Sequence, residues 1–252
     1  MRQTTPEEQI AAIYFTLAVA WGRQHWWPAQ SRFEVIVGAY LTQNTSWGNV
    51  EIALNRLRSA HVLSVAGIRR LSLPKLESLI RSSGYFRQKA RRLKTFVNFL
   101  DRKYGGSLKK MFLQPTSKLR EELLSLNGVG PETADSLLLY AGQHPTFVVD
   151  AYTRSLATRH RILPENAPYE DFRVLFERAL AGAPPLAPGD ASVMSVGGAS
   201  HKPSRMSLAM RLPVAQTFNE MHGLIVGVGK KYCVKSNPRC DECPLRPLLP
   251  GA

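Results

Sequence analysis

Apolar residues return every three or four positions along most of this chain, a period that predicts helices and not sheet. Thr5-Pro6-Glu7-Glu8 reads as a helix start, after which Ile10, Ile13, Tyr14, Leu17 and Ala18 share one face. Ser31 and Glu34 have the spacing of a capping box and open a second helix over 33–42, with Val35, Ile36, Ala39 and Tyr40 apolar. Further helices are expected over 49–60, 65–71 and 73–82, the last with Pro74 at its start. Ser83-Gly84-Tyr85 breaks the pattern, a basic helix follows, and Lys103-Tyr104-Gly105-Gly106 stops it. A short helix from Ser107 leads through Pro115-Thr116-Ser117 into one over 119–126. Leu126-Asn127-Gly128-Val129-Gly130-Pro131 then reads as helix, tight hairpin, helix, because Gly128 and Gly130 can take positive φ and Pro131 suits a first helical position. Phe147-Val148-Val149 is short and β-branched, and Asp150 stands where an N-cap would. Helices follow it, over 171–180 and over 214–228. Residues 181–213 shift to Gly, Ala, Pro and Ser, as in an extended or mobile loop. The fold class is all-α.

Charge narrows the partner. Thirty-three Lys and Arg against nineteen Asp and Glu leave the 252 residues at +14, with a pI near 10.0. Such a surface favours a polyanion through counterion release. No segment reaches the roughly 18 to 20 consecutive apolar residues of a membrane span. The apolar run from Ile10 to Trp21 follows Glu7 and Glu8 instead of a basic leader. The expectation is a cytoplasmic monomer with no membrane partner. The three cysteines, all within the last twenty residues, are an odd number and argue against a secreted disulfide framework.

The run LNGVGPETADSLLLYAGQHPTFVVD, residues 126–150, resembles the helix-hairpin-helix glycosylases of the endonuclease III superfamily in the order and spacing of its motifs. His25-Trp26-Trp27-Pro28 is similar to the same stretch in the monofunctional 3-methyladenine glycosylase branch. The resemblance implies a helical barrel lobe over 30–145 and a second lobe from 1–29 and 146–252, divided by a DNA-binding cleft. It implies that Gly128, Val129, Gly130 and Thr133 grip the phosphodiester beside a lesion, and that Asp150 stabilises positive charge on the sugar as the base leaves. Both roles are physically reasonable. Backbone N–H groups at a helix start suit a phosphate oxygen, and a fixed carboxylate in a partly dry cleft acts strongly on an oxocarbenium-like sugar. Capping by Asp150 is compatible with that role. Bifunctional members carry a lysine two residues after the second hairpin glycine, where it forms a Schiff base. Here the position is Glu132, which cannot form an imine, so water is the expected nucleophile and an abasic site the product. Glu132 is assigned to the base pocket; a first-turn carboxylate favoured by the helix dipole is the other reading.

The same resemblance assigns further residues. Trp26, Trp27 and Trp47 would wall the base pocket, where an indole favours a cationic alkylated purine over the neutral base. Paired tryptophans also commonly cap a core. Gln43 matches the glutamine that enters the gap left by the extruded base. Tyr85 matches the wedge pushed between bases. Lys89 is a phosphate contact, as are Lys235 and Arg239 in the basic C-terminal loop. Cys233-x6-Cys240-x2-Cys243 is similar to the first three ligands of the family's 4Fe-4S cluster, whose fourth would fall at Leu249. Zinc or no metal are alternatives, with His222, Asp241, Glu242, water or nothing as the fourth ligand. The expected function is a monofunctional DNA glycosylase of base excision repair acting on an alkylated purine in duplex DNA. A non-catalytic DNA-binding module and an endonuclease III-like glycosylase with weak lyase activity are the competing readings.

Overall fold

A computed structural model describes residues 4–186 and 203–251, and among them the regular structure is helical throughout. Helix α1 (Pro6–Trp21) opens the chain. Thr5 caps it reciprocally, its hydroxyl accepting from Glu8 N while its own N–H reaches the Glu8 carboxylate at 2.8 Å. The chain divides into two compact units, one of 29–142 and one of 1–28 with 143–252.

The continuous unit contains α2 (Arg32–Thr42), α3 (Trp47–Ser59), α4 (Val65–Arg70), α5 (Leu73–Leu79), α6 (Phe86–Tyr104), α7 (Leu108–Met111), α8 (Thr116–Leu124) and α9 (Pro131–Ser136). Helix α2 is its buried spine, with Val35, Ile36, Val37, Tyr40 and Leu41 in the core. Ser31 caps α2 through Glu34 N, but the expected capping box is only half made. The Glu34 carboxylate instead accepts from Gln30 N and pairs with Arg58 at 2.7 Å. The helix expected over 73–82 stops at Leu79 and ends in a 3₁₀ turn, Arg81–Ser83. The second arm of the hairpin is also divided: α9 gives way to a π-helical turn, Leu137–Gly142, buried against α2. Apolar periodicity cannot distinguish these variants, because each differs from α by a single hydrogen-bond step.

Arg120 of α8 and Asp135 of α9 clamp the two arms together. Its Nε and Nη2 donate to the two carboxylate oxygens at 2.7 and 3.0 Å, with Asp135 fully buried. This fork-on-fork geometry fixes an angle as well as a distance.

The discontinuous unit packs α1 against α11 (Tyr169–Leu180) and α12 (Pro213–Lys231), and α10 (Ala151–Arg159) against α12. Phe147, which opens the short β-branched stretch, is a hub, stacked on Phe176 at 4.8 Å and edge-on to Phe218. Glycine permits the closest crossing: a Cβ at Gly229 of α12 would lie 2.2 Å from the Tyr152 ring of α10. Of the loop expected to be mobile over 181–213, residues 187–202 lie outside the described residues. Its described flanks are anchored. Ala183 O accepts from Thr217, Pro184 O from Tyr14, and Leu186 N donates to the buried Glu220 at 2.7 Å. Ser204 and Ser207 are buried, and Ser204 donates to Trp27 O.

Replacing Arg120 by Met is expected to cost about 3–5 kcal/mol, because it strands a buried carboxylate, and pairing it with Asp135→Leu should recover most of that loss. Urea denaturation of wild type, both single variants and the double variant checks both. Additive single and double variants would show that the pair does not hold the hairpin.

Candidate active site and nucleic-acid interface

The hairpin closes on itself. Val129 N donates to Leu126 O at 3.1 Å, and the Val129 side chain is buried. Its N–H, assigned from the sequence to a phosphate, is therefore already used inside the turn. Of the two glycines expected at positive φ only Gly128 has it, at +79°; Gly130 is extended, with φ −91° and ψ 177°. Their surroundings differ as well. A Cβ on Gly128 would lie 2.0 Å from Arg92 Nε, while nothing lies within 4 Å of one on Gly130. Gly128 is thus required by the fold, and Gly130 leaves its backbone open to approach.

Gln43, at the end of α2, is bonded to this turn. Its Nε2 donates to Gly128 O at 3.0 Å and to Thr133 Oγ1 at 2.9 Å, while its Oε1 accepts from Arg92 Nη1 at 2.6 Å. Three residues assigned to DNA thus hold one another, with Thr133 buried. Arg92 completes this network from α6, and its sequence signal was only membership of a basic run. Glu132 is exposed in the first turn of α9, where the helix dipole favours a carboxylate. Trp47 is half-buried as the first residue of α3.

Tyr85 is 68% exposed and left-handed at φ 44°, directly ahead of α6. A large side chain held out on a constrained backbone suits the wedge expected of it. Lys89 corrects the sequence reading. It is 1% exposed, and its ammonium donates to Leu41 O at 2.8 Å and Ser83 O at 2.6 Å, so it is no surface phosphate contact. It joins the end of α2, two residues before Gln43, to the turn that carries Tyr85. Burial, with repulsion from Arg92, pushes its pKa down from 10.5 to about 8.

In the other unit Asp150 caps α10, as the sequence predicts. Its Oδ1 accepts from Thr153 N at 2.8 Å and from Thr153 Oγ1 at 3.0 Å. Its Oδ2 lies 3.5 Å from His222 Nε2 of α12, with the carboxylate side chain 15% exposed and the imidazole 5%. Burial alone would raise the Asp150 pKa. The His222 imidazole facing Oδ2, with the two donors of Thr153, outweighs it and holds the carboxyl below its ordinary value. The half-buried Tyr152 phenol is pushed up, by its partial burial and then by the Asp150 charge. Trp26 stands next to this pair, its ring 6.0 Å from the imidazole, and Asn219 Nδ2 holds its carbonyl at 2.6 Å. Trp27 meets Trp26 edge-on and is buried, which is core capping more than an open pocket wall. His222, left by the sequence as one of several metal-ligand alternatives, belongs with Asp150. A histidine in an apolar helix gave no sign of which residue it would meet.

Cys233, Cys240 and Cys243 line one pocket with Leu249, Leu156, Leu245, Arg159 and His160. Arg159 Nη1 donates to Cys233 Sγ at 2.7 Å, and burial pushes the Cys233 and Cys243 thiols up. Among the described residues no three His, Cys, Asp or Glu side chains are gathered tightly enough to hold a metal ion. The three thiols share this lining with Leu249, so the position at which the spacing calls for a fourth thiolate carries an aliphatic side chain. Lys235 and Arg239 are exposed beside it, Arg239 lying over the Tyr232 ring and bonded to Lys231 O. No described helix is long and apolar enough to cross a membrane.

Comparison with known proteins agrees with this geometry. Residues 37–181 match the HhH-GPD superfamily of base excision DNA repair proteins. The chain is 40% identical over 240 residues to a putative DNA repair glycosylase of Methanocaldococcus jannaschii, covering 95% of this chain and 94% of that one. It is 28% identical to endonuclease III of Thermotoga maritima over 85% of its length and 80% of the relative's. Among solved structures it is similar to H. pylori 3-methyladenine DNA glycosylase bound to 1,N6-ethenoadenine, with TM-score 0.67, 26% identity, and coverage of 88% and 96%. A trapped endonuclease III–DNA covalent intermediate shares the fold, at TM-score 0.72 and 20% identity over 99% and 96%.

Lys89→Met is expected to lower stability by about 1–3 kcal/mol near neutral pH, through loss of two bonds from a charged donor. The pH dependence carries its own signature. Between about 8 and 10.5 the unfolded lysine holds its proton while the folded one has released it. Wild-type stability should therefore gain from this residue as pH rises through that window, and Lys89→Met should lack the gain. Denaturation profiles that stay parallel through it would place the ammonium in solvent.

Proposed function

Because the chain belongs to the HhH-GPD superfamily of base excision DNA repair proteins, we propose that it is a monofunctional DNA glycosylase that hydrolyses the N-glycosidic bond of an alkylated purine in duplex DNA. One observation carries this reading: Asp150 uses one oxygen to cap its helix and turns the other to His222, whose imidazole neighbours Trp26. An anion held there in low dielectric favours a sugar on which positive charge is growing. Basic charge brings the duplex, the open backbone at Gly130 receives a phosphate, and Tyr85 enters the stack as the damaged nucleotide turns out. The C1′–N bond then breaks with its electron pair leaving on the base. A water oxygen bonds to C1′, and the water's proton returns to solvent by way of the Asp150 carboxylate.

Glu132 supports water as the nucleophile, since a carboxylate at that position forms no imine. The alkylated-purine class is supported by the ring of Trp26 beside His222, the partner of Asp150, with Trp27 edge-on to that ring, and by the likeness to the H. pylori enzyme. Trp47 and Glu132 are further candidates for contact with the base.

The reading includes an iron–sulfur cluster held by Cys233, Cys240 and Cys243, supported by their shared pocket. When bound, it would supply structural rigidity to the loop carrying Lys235 and Arg239, and no step of base release passes through it.

Two experiments test this. Base release from methylated duplex DNA is measured for wild type and Asp150→Asn, scoring strand breaks with and without alkali. Asn caps a helix about as well as Asp, so the variant should fold normally and lose at least about 100-fold in rate. Wild-type breaks should need alkali. Undiminished release by the variant would remove Asp150 from the mechanism, and breaks without alkali would show a lyase. Separately, protein purified without oxygen should contain iron and acid-labile sulfide that Cys240→Ser loses; a folded, iron-free wild type rejects the cluster.

A further inference from the structure

The Asp150 carboxylate is divided between two helices. Oδ1 is committed to α10 through Thr153, and Oδ2 faces His222 of α12 at 3.5 Å. The imidazole is itself fixed. It lies among the rings of Trp26, at 6.0 Å, and Phe147, at 6.4 Å, and is almost fully buried. Its neighbours on α12 hold that indole in turn: Asn219 takes the Trp26 carbonyl, and a Cβ on Gly223 would come within 3.0 Å of Trp26 Cβ. One helix therefore holds Trp26 in place and brings a ring nitrogen to the carboxylate oxygen that Thr153 leaves uncapped.

We infer that His222 is a positioning residue for base release, with its Nε2–H aiming Oδ2 and keeping Asp150 ionised inside a largely dry site. The need for such a partner is physical. A buried carboxylate reverts toward its neutral form unless a donor or positive charge offsets the lost hydration, and the neutral form cannot stabilise a sugar cation. Thr153 supplies two donors to Oδ1 alone, so the contribution at Oδ2 falls to His222. Asp150, Trp26 and Phe147 are among the groups that face this imidazole, the first charged and the two rings uncharged; Tyr152 interacts with the same carboxylate and is held protonated by its partial burial and by that charge.

This inference rests on the glycosylase reading, and its test separates the two. Single-turnover base release is followed across pH for wild type, His222→Leu and His222→Gln, together with duplex affinity and melting temperature. His222→Leu should bind duplex as wild type does. Its acid limb should move to higher pH, as burial then dominates Asp150, with a rate loss of about tenfold or more at mildly acid pH. His222→Gln, whose amide can still donate to Oδ2, should recover most of the rate. A wild-type profile in His222→Leu, or a folded His222→Gln as impaired as the leucine variant, overturns the inference. If His222→Leu does not fold, His222→Phe refills the space between the two rings and removes the donor equally. A ¹³C-NMR titration of the Asp150 carboxyl, assigned by its loss in Asp150→Asn, reads the pair without any substrate. Should wild type release no base from any duplex, the glycosylase reading fails. An Asp150 carboxyl that titrates identically with and without His222 still overturns the pairing on its own.

Discussion

The bidentate pair between Arg120 and Asp135 sets the frame for the continuous unit. A carboxylate with no solvent exposure must be met by a donor of matching shape, and the fork of an arginine meets both oxygens at once. Because the two residues lie on the arms of the hairpin, meeting that demand also fixes the angle between the arms. The turn is left with little freedom, and Gln43 and Arg92 take up most of what remains. The same constraint recurs at Lys89, at Glu220 with Arg23, and at Asp150 with His222. In a chain of net charge +14, the ionised groups that organise the fold are the ones removed from the surface.

What could be read from the sequence was what is decided locally. Thr5, Ser31 and Asp150 announced their helices because an N-cap bonds only two or three residues ahead. The glycine-rich turn and the three clustered cysteines were visible for the same reason. Pairings across long sequence separations were not. Lys89 stood in a run of bases that looked uniformly solvated, and only its meeting with Leu41 O, 48 positions away, makes it internal. His222 and Asp150 are likewise brought together by the packing of α12 on α10, which periodicity says nothing about. Gly130 was misread as conformationally demanding because its neighbour Gly128 is; one left-handed residue is enough to reverse the chain. The π turn at Leu137–Gly142 is apolar on every side and carries no period that would separate it from the helix before it.

The C-terminal loop shows how position and chemistry can part company. Three thiols share a pocket, and Leu249 lines it at the place where the spacing calls for a fourth. The pocket thus offers three thiols, and a hydrocarbon side chain where a four-thiolate site would need its last donor.

Gln43 has no idle hydrogen-bonding face toward the hairpin, since both ends of its amide are taken by Gly128, Thr133 and Arg92. An amide held in this way is sheathed. If it enters the base stack as the resemblance implies, three bonds around the hairpin must first be given up, so only a position that offers equivalent partners would draw it out.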